Sequence, residues 1–250
     1  MTTTPRESGL APRPAFYALR SGGWRDLVTL LHPPYTAWHL SYVALGTAAA
    51  PGVIHVDRLL AAMGAFFLGV GISAHAFDEL NGRPLRTQLS RGVLIALAVA
   101  GLVGALAIGV AGIVVVSPLL APLVVAGGLL VPVYNLELAG GRLHSDRWFA
   151  LAWGAFPAFT GYFVQTLEIR PVGLLVAGAC YLLSLAQRRL STPVRELRRR
   201  TVEVSGSQRL TDGSVVRLDR ARLTAPMEGA LSAMWLALVL LAAGLLVTRL

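Results

Sequence analysis

Seven apolar blocks, each close to the length that crosses a bilayer as a helix, constrain this chain more than any other feature. They lie at about 34–51, 58–77, 92–116, 117–136, 148–166, 171–187 and 229–248. The hydrocarbon core of a bilayer takes about 20 residues of apolar helix. Only helices and closed barrels satisfy all backbone hydrogen bonds there, and these runs are too long for barrel strands. The sequence therefore predicts an all-α, polytopic membrane bundle of about seven transmembrane helices.

The composition argues against an ordinary soluble domain. Hydrophobic residues make up 55% of the 250 residues and charged residues only 14%, whereas soluble domains carry about 25% charged residues. The single cysteine, Cys180, can form no intramolecular disulfide. Residues 1–28 are polar and contain no apolar core of a signal peptide. We expect them to form a mobile cytoplasmic tail, and 29–250 to form the transmembrane domain.

The basic side chains are all arginine, and their placement predicts the orientation of the chain. With a cytoplasmic N-terminus, nineteen of the 22 arginines lie in cytoplasmic segments, and only Arg58, Arg170 and Arg249 lie outside. Arginine and lysine accumulate on the cytoplasmic side of membrane proteins. We therefore expect an integral protein of a bacterial or archaeal cell membrane, with its N-terminus in the cytoplasm and its C-terminus outside.

The longest polar segment between apolar blocks is 188–228. It begins with RRLSTPVRELRRR, which predicts a basic helix, and continues with short polar strands or a loose loop. SGSQ and TDGS within it are typical turn sequences. The arginines from Arg195 to Arg200 could lie along anionic lipid headgroups or act on a substrate, and the sequence leaves both readings open.

The stretch AHAFDELNGRPLRT, at the end of the second block, concentrates ionisable residues in a chain that has few. A helix that continues through Glu79 places His75, Asp78 and Glu79 at i, i+3 and i+4, on one face at the membrane edge. Two adjacent carboxylates suit Mg²⁺, and Arg83 and Arg86 suit phosphate oxygens. The alternative is a flanking loop whose acids pair with its own arginines.

A second group of polar residues follows the fourth block on the same predicted side of the membrane. It contains Tyr134, Asn135 and His144. Aromatic residues and histidines are common at membrane interfaces, so each is a weak signal alone. Together with the first stretch they outline a polar mouth above an apolar bundle, which suits a substrate with an anionic head and a lipid tail.

The order of these features resembles the UbiA superfamily of membrane prenyltransferases over roughly 25–190. HPPYTAWHLSYVALGTAAA (32–50) is similar to the opening helix of that family. The second block leads into an Asp-bearing loop followed by RPL, as in the family. YNLELAGGRLHSDRWFALAWGAFPAFTGY (134–162) resembles the connection between the family's fourth and fifth helices.

The resemblance implies a prenyl diphosphate held by Mg²⁺ between two Asp-rich motifs. Asp78 matches the central Asp of the first motif, while the other three motif positions hold Ala74, His75 and Gly82. Where the second motif is expected, the chain reads LAQRRLSTPVRELRRR, with Glu196 as its one acid. The Arg-rich segment 188–200 could therefore supply part of the positive charge that a departing diphosphate requires.

The function that follows from the resemblance is transfer of an isoprenyl group from a prenyl diphosphate to an unidentified acceptor. Asp78 and Glu79 are the expected catalytic residues and Mg²⁺ ligands. The expected substrate-binding residues are His75, Asn81, Arg83, Arg86, Tyr134, Asn135 and His144. The expected partners are membrane lipid and the isoprenyl diphosphate, and no nucleic acid.

Two other functions remain open at this stage. One is a non-catalytic membrane protein of the same architecture that binds lipid or a protein partner. The other, a small-solute transporter, is less favoured because no apolar block carries a charge near its middle and no matched interruptions recur in two halves.

Overall fold

Helices dominate residues 13–250, which this computed structural model describes. In chain order they are α1 (Trp24–Leu30), α2 (Pro33–Ala49), α3 (Val56–Leu80), α4 (Arg91–Val115), α5 (Pro118–Asn135), α6 (146–166), α7 (Pro171–Arg199) and α8 (Arg220–Val247). A short 3₁₀ turn at Ala139–Gly141 connects α5 and α6. Strands β1 (Ser207–Arg209) and β2 (Val215–Arg217) form a small antiparallel hairpin before α8. The predicted all-α class is confirmed for the helical bundle.

Five of these helices, within the described part of the chain, are long and apolar enough to cross a membrane: α3, α4, α5, α7 and α8. Each predicted apolar block falls on one of the helices α2 to α8. The largest difference is in α7, which continues past the predicted end at 187 to Arg199. The basic segment after the sixth block is therefore the last part of the long helix α7.

Two helices contain a π-helical segment near the same end of the bundle. In α3 the segment is Phe67–Ala74, directly before the short α-helical end His75–Leu80. In α6 it is Leu151–Ala155, between Asp146–Ala150 and Phe156–Thr166. A π turn adds one residue per turn, so it changes which side chains face the interior, and such segments are frequent at functional sites.

Helix α2 lies at the centre of the bundle, where it packs against α3, α6, α7 and α8. The contact with α6 is a close approach of two backbones at Gly46 and Gly161. A Cβ atom added to Gly46 would overlap the carbonyl group of Ala158, and one added to Gly161 would overlap that of Val43. Small residues permit such approach between membrane helices. The α2–α6 pair thus forms a rigid support for the side chains at its ends.

We expect Gly161→Val to destabilise the protein by about 3 kcal/mol or more, because the added methyl groups must displace the α2 backbone. The thermal unfolding midpoint of the detergent-solubilised protein measures this loss. Gly178→Val is the matched control, since Gly178 is also helical but has no atom within 4 Å of an added Cβ. Equal midpoints for the two variants would show that the α2–α6 contact is looser than described.

The segment before α1 differs from the predicted mobile tail over 1–28. Residues 1–12 lie outside the described residues, but 13–28 pack onto the bundle. Ala15 and Ala18 are buried together with Leu85, and the Asp26 side chain belongs to the buried polar residues. Alanines at such contacts leave no apolar run in the sequence, which is why the packing was not predicted.

Candidate functional site

Ionisable and aromatic side chains from five segments of the fold meet at one end of the bundle. They come from the segment before α2, the start of α2, the end of α3, the end of α5, and the end of α7. We call this group the polar cluster; its members are Tyr17, His32, Tyr35, His75, Asp78, Tyr134, Arg188, Arg195 and Arg199. The π-helical segments of α3 and α6 lie directly beneath it.

Glu79 has a structural role beside the polar cluster. Its side chain is fully buried, and its two carboxylate oxygens accept hydrogen bonds from the backbone N–H of Leu85 (2.9 Å) and from the N–H and hydroxyl of Thr87 (both 2.8 Å). These three bonds fold the loop 81–90 back onto the end of α3. The predicted Mg²⁺ ligand is thus a carboxylate whose oxygens already have strong donors.

The loop 81–90 has two further anchors. Asp26 of α1 accepts a hydrogen bond from the Gln88 N–H at 3.1 Å. The guanidinium group of Arg83 donates to the carbonyl oxygens of Thr87 and Leu89, and Arg86 is exposed. Arg83 and Arg86 both adopt positive φ. Of the two arginines that the sequence assigned to phosphate binding, Arg83 therefore stabilises the loop and Arg86 lies on its surface. The structure does not bring either of them to Asp78.

Asp78 points in a different direction from Glu79, because neighbouring residues of a helix are about 100° apart. It lies within electrostatic range of Arg188, Arg195 and Arg199 of α7. Among residues 13–250, no hydrogen bond or ion pair of the structure uses its carboxylate oxygens. Asp78 is thus the one acid of the predicted stretch that is available to a ligand.

The histidines form a buried stack at the inner side of the polar cluster. The rings of His32 and His75 are parallel within 16°, with centroids 4.1 Å apart. His75 donates through Nδ1 to the Gly71 carbonyl oxygen, 3.1 Å away in the π segment. The Tyr17 hydroxyl is 3.0 Å from Nδ1 of His32. His75 is therefore held in place by the backbone, with one ring face covered by His32.

The protonation states of Tyr17 and His32 follow from burial. Burial, and secondarily the neighbouring Tyr35, raises the pKa of Tyr17. Burial, and secondarily His75, holds the pKa of His32 well below its usual range. At neutral pH the phenol is therefore protonated and the imidazole uncharged, and the two share one hydrogen bond between neutral groups. The group is neutral and adds no charge to the cluster.

Tyr134 is the polar side chain of α5 that remains available. Its ring stacks on His144 at 4.6 Å and meets Trp153 edge-on at 5.7 Å. Its hydroxyl is buried and has no hydrogen-bond partner within the described residues. Asn135, by contrast, donates to the Val131 carbonyl at 2.7 Å, and Asn81 donates to the Asn135 carbonyl at 3.3 Å. The Asn135 amide is therefore used within α5, and the Asn81 amide joins the ends of α3 and α5.

His144 lies at the edge of the cluster. Its Nδ1 donates to the Tyr134 carbonyl oxygen at 3.2 Å and is 3.9 Å from a carboxylate oxygen of Glu137. The structure thus brings together four of the predicted site residues, His75, Asp78, Tyr134 and His144. The other five do not join the cluster. Four of them make hydrogen bonds to the surrounding backbone, and one is exposed: Glu79, Asn81, Arg83 and Asn135 in the first group, and Arg86 in the second.

The sequence analysis did not single out the residues of α7 individually. Arg188, Arg195 and Arg199 are at i, i+7 and i+11, a spacing that places them in one narrow stripe of an α-helix. Arg195 and Arg199 are within electrostatic range of Tyr35 in α2, and Arg188 of Tyr134 in α5. The spacing was visible in the sequence, but it became informative only once α7 was known to continue to Arg199.

An apolar cavity of about 150 Å³ lies below the polar cluster, between α3, α4, α5 and α6. Val70, Val131 and Trp153 line the end nearest the cluster, where Trp153 contacts Tyr134. Arg58 and Ala62 line the opposite end. The cavity therefore runs along the apolar part of the bundle, with the polar cluster at one end.

The donor set for a metal ion is small. Within residues 13–250 there is no group of three or more His, Cys, Asp or Glu side chains suited to hold one. Asp78 alone could contribute to a Mg²⁺ ion that also takes diphosphate oxygens, a mode in which one carboxylate suffices. The residues thus fit one substrate-bridged ion, and they do not fit a second ion held by the protein.

Comparison with known protein families, with curated proteins and with solved structures finds no match to this chain.

Proposed function

We propose that this protein is a membrane-embedded prenyltransferase, which moves an isoprenyl group from a prenyl diphosphate to an acceptor. The observation that supports this most strongly is the position of Asp78 and three arginines of α7 at one end of an apolar cavity. A prenyl diphosphate has the same division into an anionic head and a hydrocarbon tail. The UbiA-like order of the sequence supports the same assignment.

The tail would occupy the apolar cavity. Glycines of α3, α4 and α5 line it and leave room between the helices, among them Gly69, Gly109 and Gly127. Burial of hydrocarbon here contributes affinity of about 0.8 kcal/mol per CH₂ group relative to water. The membrane gives the same donor an apolar alternative, so the cavity selects chain length and position more than it adds affinity.

The head would lie in the polar cluster. Asp78 would hold one Mg²⁺ ion together with diphosphate oxygens, and the ion would supply positive charge to the leaving group. The C1–O bond of the donor breaks and its electron pair leaves with the diphosphate. A nucleophile of the acceptor attacks the allylic cation, and the acceptor's proton passes to the released diphosphate. The unpartnered Tyr134 hydroxyl is positioned to orient the acceptor or the head.

In this proposal all seven helices α2 to α8 cross the membrane. The odd number of crossings and the bias of arginines toward the cluster end support a cytoplasmic N-terminus and polar cluster, with the C-terminus outside. The protein would be integral to a bacterial or archaeal cell membrane. Cysteine-scanning accessibility from either side of intact cells tests this arrangement, with positions in the hairpin 207–217 expected to react only from the cytoplasm.

Ala62→Phe is expected to shorten the donors that the protein accepts. Ala62 is buried at the cavity end away from the polar cluster, so a phenyl ring there removes space from the tail end only. We expect about tenfold lower transfer from long polyprenyl donors, with short donors little affected. Ala107→Phe on the exposed face of α4 is the control. An equal loss for all donor lengths would place the tail elsewhere.

The proposed function is tested by incubating the purified protein with labelled geranylgeranyl or longer polyprenyl diphosphates, Mg²⁺ and a panel of acceptors. The expected result is acceptor-dependent release of diphosphate and a labelled lipid product. Saturable donor binding without turnover on any acceptor would instead support the non-catalytic lipid-binding function. If the protein neither bound the donor nor released diphosphate, both functions would be contradicted.

A further inference from the structure

The arginine stripe of α7 contains more positive charge than the protein neutralises. Arg188 pairs with Asp146 at 2.8 Å. Arg195 donates only to the hydroxyl groups of Ser191 and Thr192, both at 2.8 Å. Arg199 donates to the Pro14 carbonyl oxygen at 3.1 Å. Among the described residues, Arg195 and Arg199 therefore have no ion-pair partner.

The neighbouring Arg198, by contrast, has an ion-pair partner. Arg198 forms a two-point ion pair with Glu228 of α8, in which both side chains are largely buried. Arg195 and Arg199 are partly buried, and they lie beside each other and beside Arg188. Like charges in such surroundings repel each other and are less hydrated than in open water. An anion bound among them would remove both penalties.

The site in front of the stripe offers the anion additional partners. The Tyr134 hydroxyl is buried without a partner among the described residues and lies within electrostatic range of Arg188 and Arg195. Asp78 faces the same three arginines. Asp146 neutralises Arg188, and Asp78 then faces two guanidinium groups, those of Arg195 and Arg199, that have no ion-pair partner among the described residues. The site therefore keeps positive charge, which suits an anionic ligand.

We propose that Arg188, Arg195 and Arg199 form the diphosphate subsite and take the place of a second protein-held metal ion. This inference rests on the proposed function for the identity of the donor, but the subsite itself concerns binding of a diphosphate group. Guanidinium groups bind phosphate oxygens in a two-point geometry that ammonium groups do not reproduce. When the C1–O bond breaks, the electron pair arrives on an oxygen of this diphosphate, and the stripe stabilises the added charge.

The positions of the other carboxylates explain why arginines, and not a second metal ion, would supply positive charge to the diphosphate. Glu79, the next residue in the chain, has three hydrogen bonds from the loop 81–90. Glu196, the one acid in the last turns of α7, is exposed. Neither could join Asp78 as a ligand without giving up its present position. The positive charge at the far side of the diphosphate therefore comes from side chains.

The test uses inorganic pyrophosphate as the probe and the full-length protein in detergent, with calorimetry in EDTA and again in Mg²⁺. We expect saturable binding in EDTA, tightened by Mg²⁺. Arg195→Gln and Arg199→Gln should each weaken binding in EDTA by about tenfold or more. Arg195→Lys should give an intermediate loss. Arg189→Gln is the control, since Arg189 is exposed on another face of α7, and unfolding midpoints confirm that each variant is folded.

Two results would overturn the inference: wild-type protein that binds pyrophosphate only when Mg²⁺ is present, or folded Arg195→Gln and Arg199→Gln variants with wild-type affinity in EDTA. The outcome separates from that of the proposed function. Arginine-dependent pyrophosphate binding without prenyl transfer would uphold the subsite and contradict the prenyltransferase. Prenyl transfer by the wild type, together with unchanged pyrophosphate binding in the variants, would uphold the prenyltransferase and contradict the subsite.

Discussion

Asp78→Asn is expected to lower prenyl transfer by about a hundredfold or more while leaving the protein folded. The substitution keeps the size of the side chain but removes the charge that faces the arginines of α7. Within the described residues the Asp78 carboxylate makes no hydrogen bond that supports the fold. Diphosphate release and the unfolding midpoint, measured on the same preparation, check both parts of the expectation.

The matched control for this variant is Asp57→Asn. Asp57 is on the same helix, α3, but is exposed at its opposite end. We expect it to retain full transfer activity. Unchanged diphosphate release in folded Asp78→Asn protein would remove Asp78 from the mechanism. If Asp78→Asn and Asp57→Asn lost activity equally, the loss would indicate a general effect of charge on the bundle.

Glu79→Ala is expected to destabilise the protein by about 3 kcal/mol or more, because it leaves buried N–H groups of Leu85 and Thr87 without an acceptor. We expect a lower unfolding midpoint and faster proteolysis within the loop 81–90. Activity should fall only as far as the folded fraction falls. Glu196→Ala, an exposed acid near the cluster end, is the control and should unfold like the wild type.

The opposite result for Glu79 would restore the assignment made from the sequence. A Glu79→Ala protein with a wild-type midpoint, wild-type resistance to proteolysis and a higher Mg²⁺ requirement would make Glu79 a metal ligand. The two neighbouring acids therefore give separable results: loss of Asp78 affects chemistry, and loss of Glu79 affects folding.

The helices were predictable because each needs only local information. A continuous apolar block of about 20 residues has one stable form in a bilayer, and each block corresponds to a helix of the structure. The second block was predicted to end at 77, with a helix through Glu79 considered as a condition, and α3 continues to Leu80. The turn at TDGS between two short strands follows from local backbone preferences, and β1 and β2 confirm it.

The different roles of Asp78 and Glu79 were not predictable. They depend on partners outside the helix, Thr87 for Glu79 and Arg195 for Asp78, which only the tertiary fold brings close. Adjacent acids in a sequence carry no sign of which one a loop will cover. The sequence also gave no reason to place Arg83 on backbone carbonyls, since that contact follows from the positive φ of Arg83 itself and the path of the loop.

The π-helical segments were a further feature of the helices that the sequence did not predict. Regular helix periodicity was assumed throughout α3, but the π-helical segment Phe67–Ala74 shifts the register before His75. Apolar residues with glycines can form either helix type, and packing against α2 and α4 selects between them. The extension of α7 to Arg199 has a similar origin, because its polar last turns pack against α8 and the segment before α1.

The most direct measurement of the central claim is photo-crosslinking with a prenyl diphosphate that carries a photoreactive group at the end of its tail. The account predicts crosslinks to residues that line the apolar cavity, such as Ala62, Gly109 and Val124, and their loss when inorganic pyrophosphate is added in excess. Crosslinks confined to lipid-facing residues such as Val110 and Leu240, and insensitive to pyrophosphate, would contradict it.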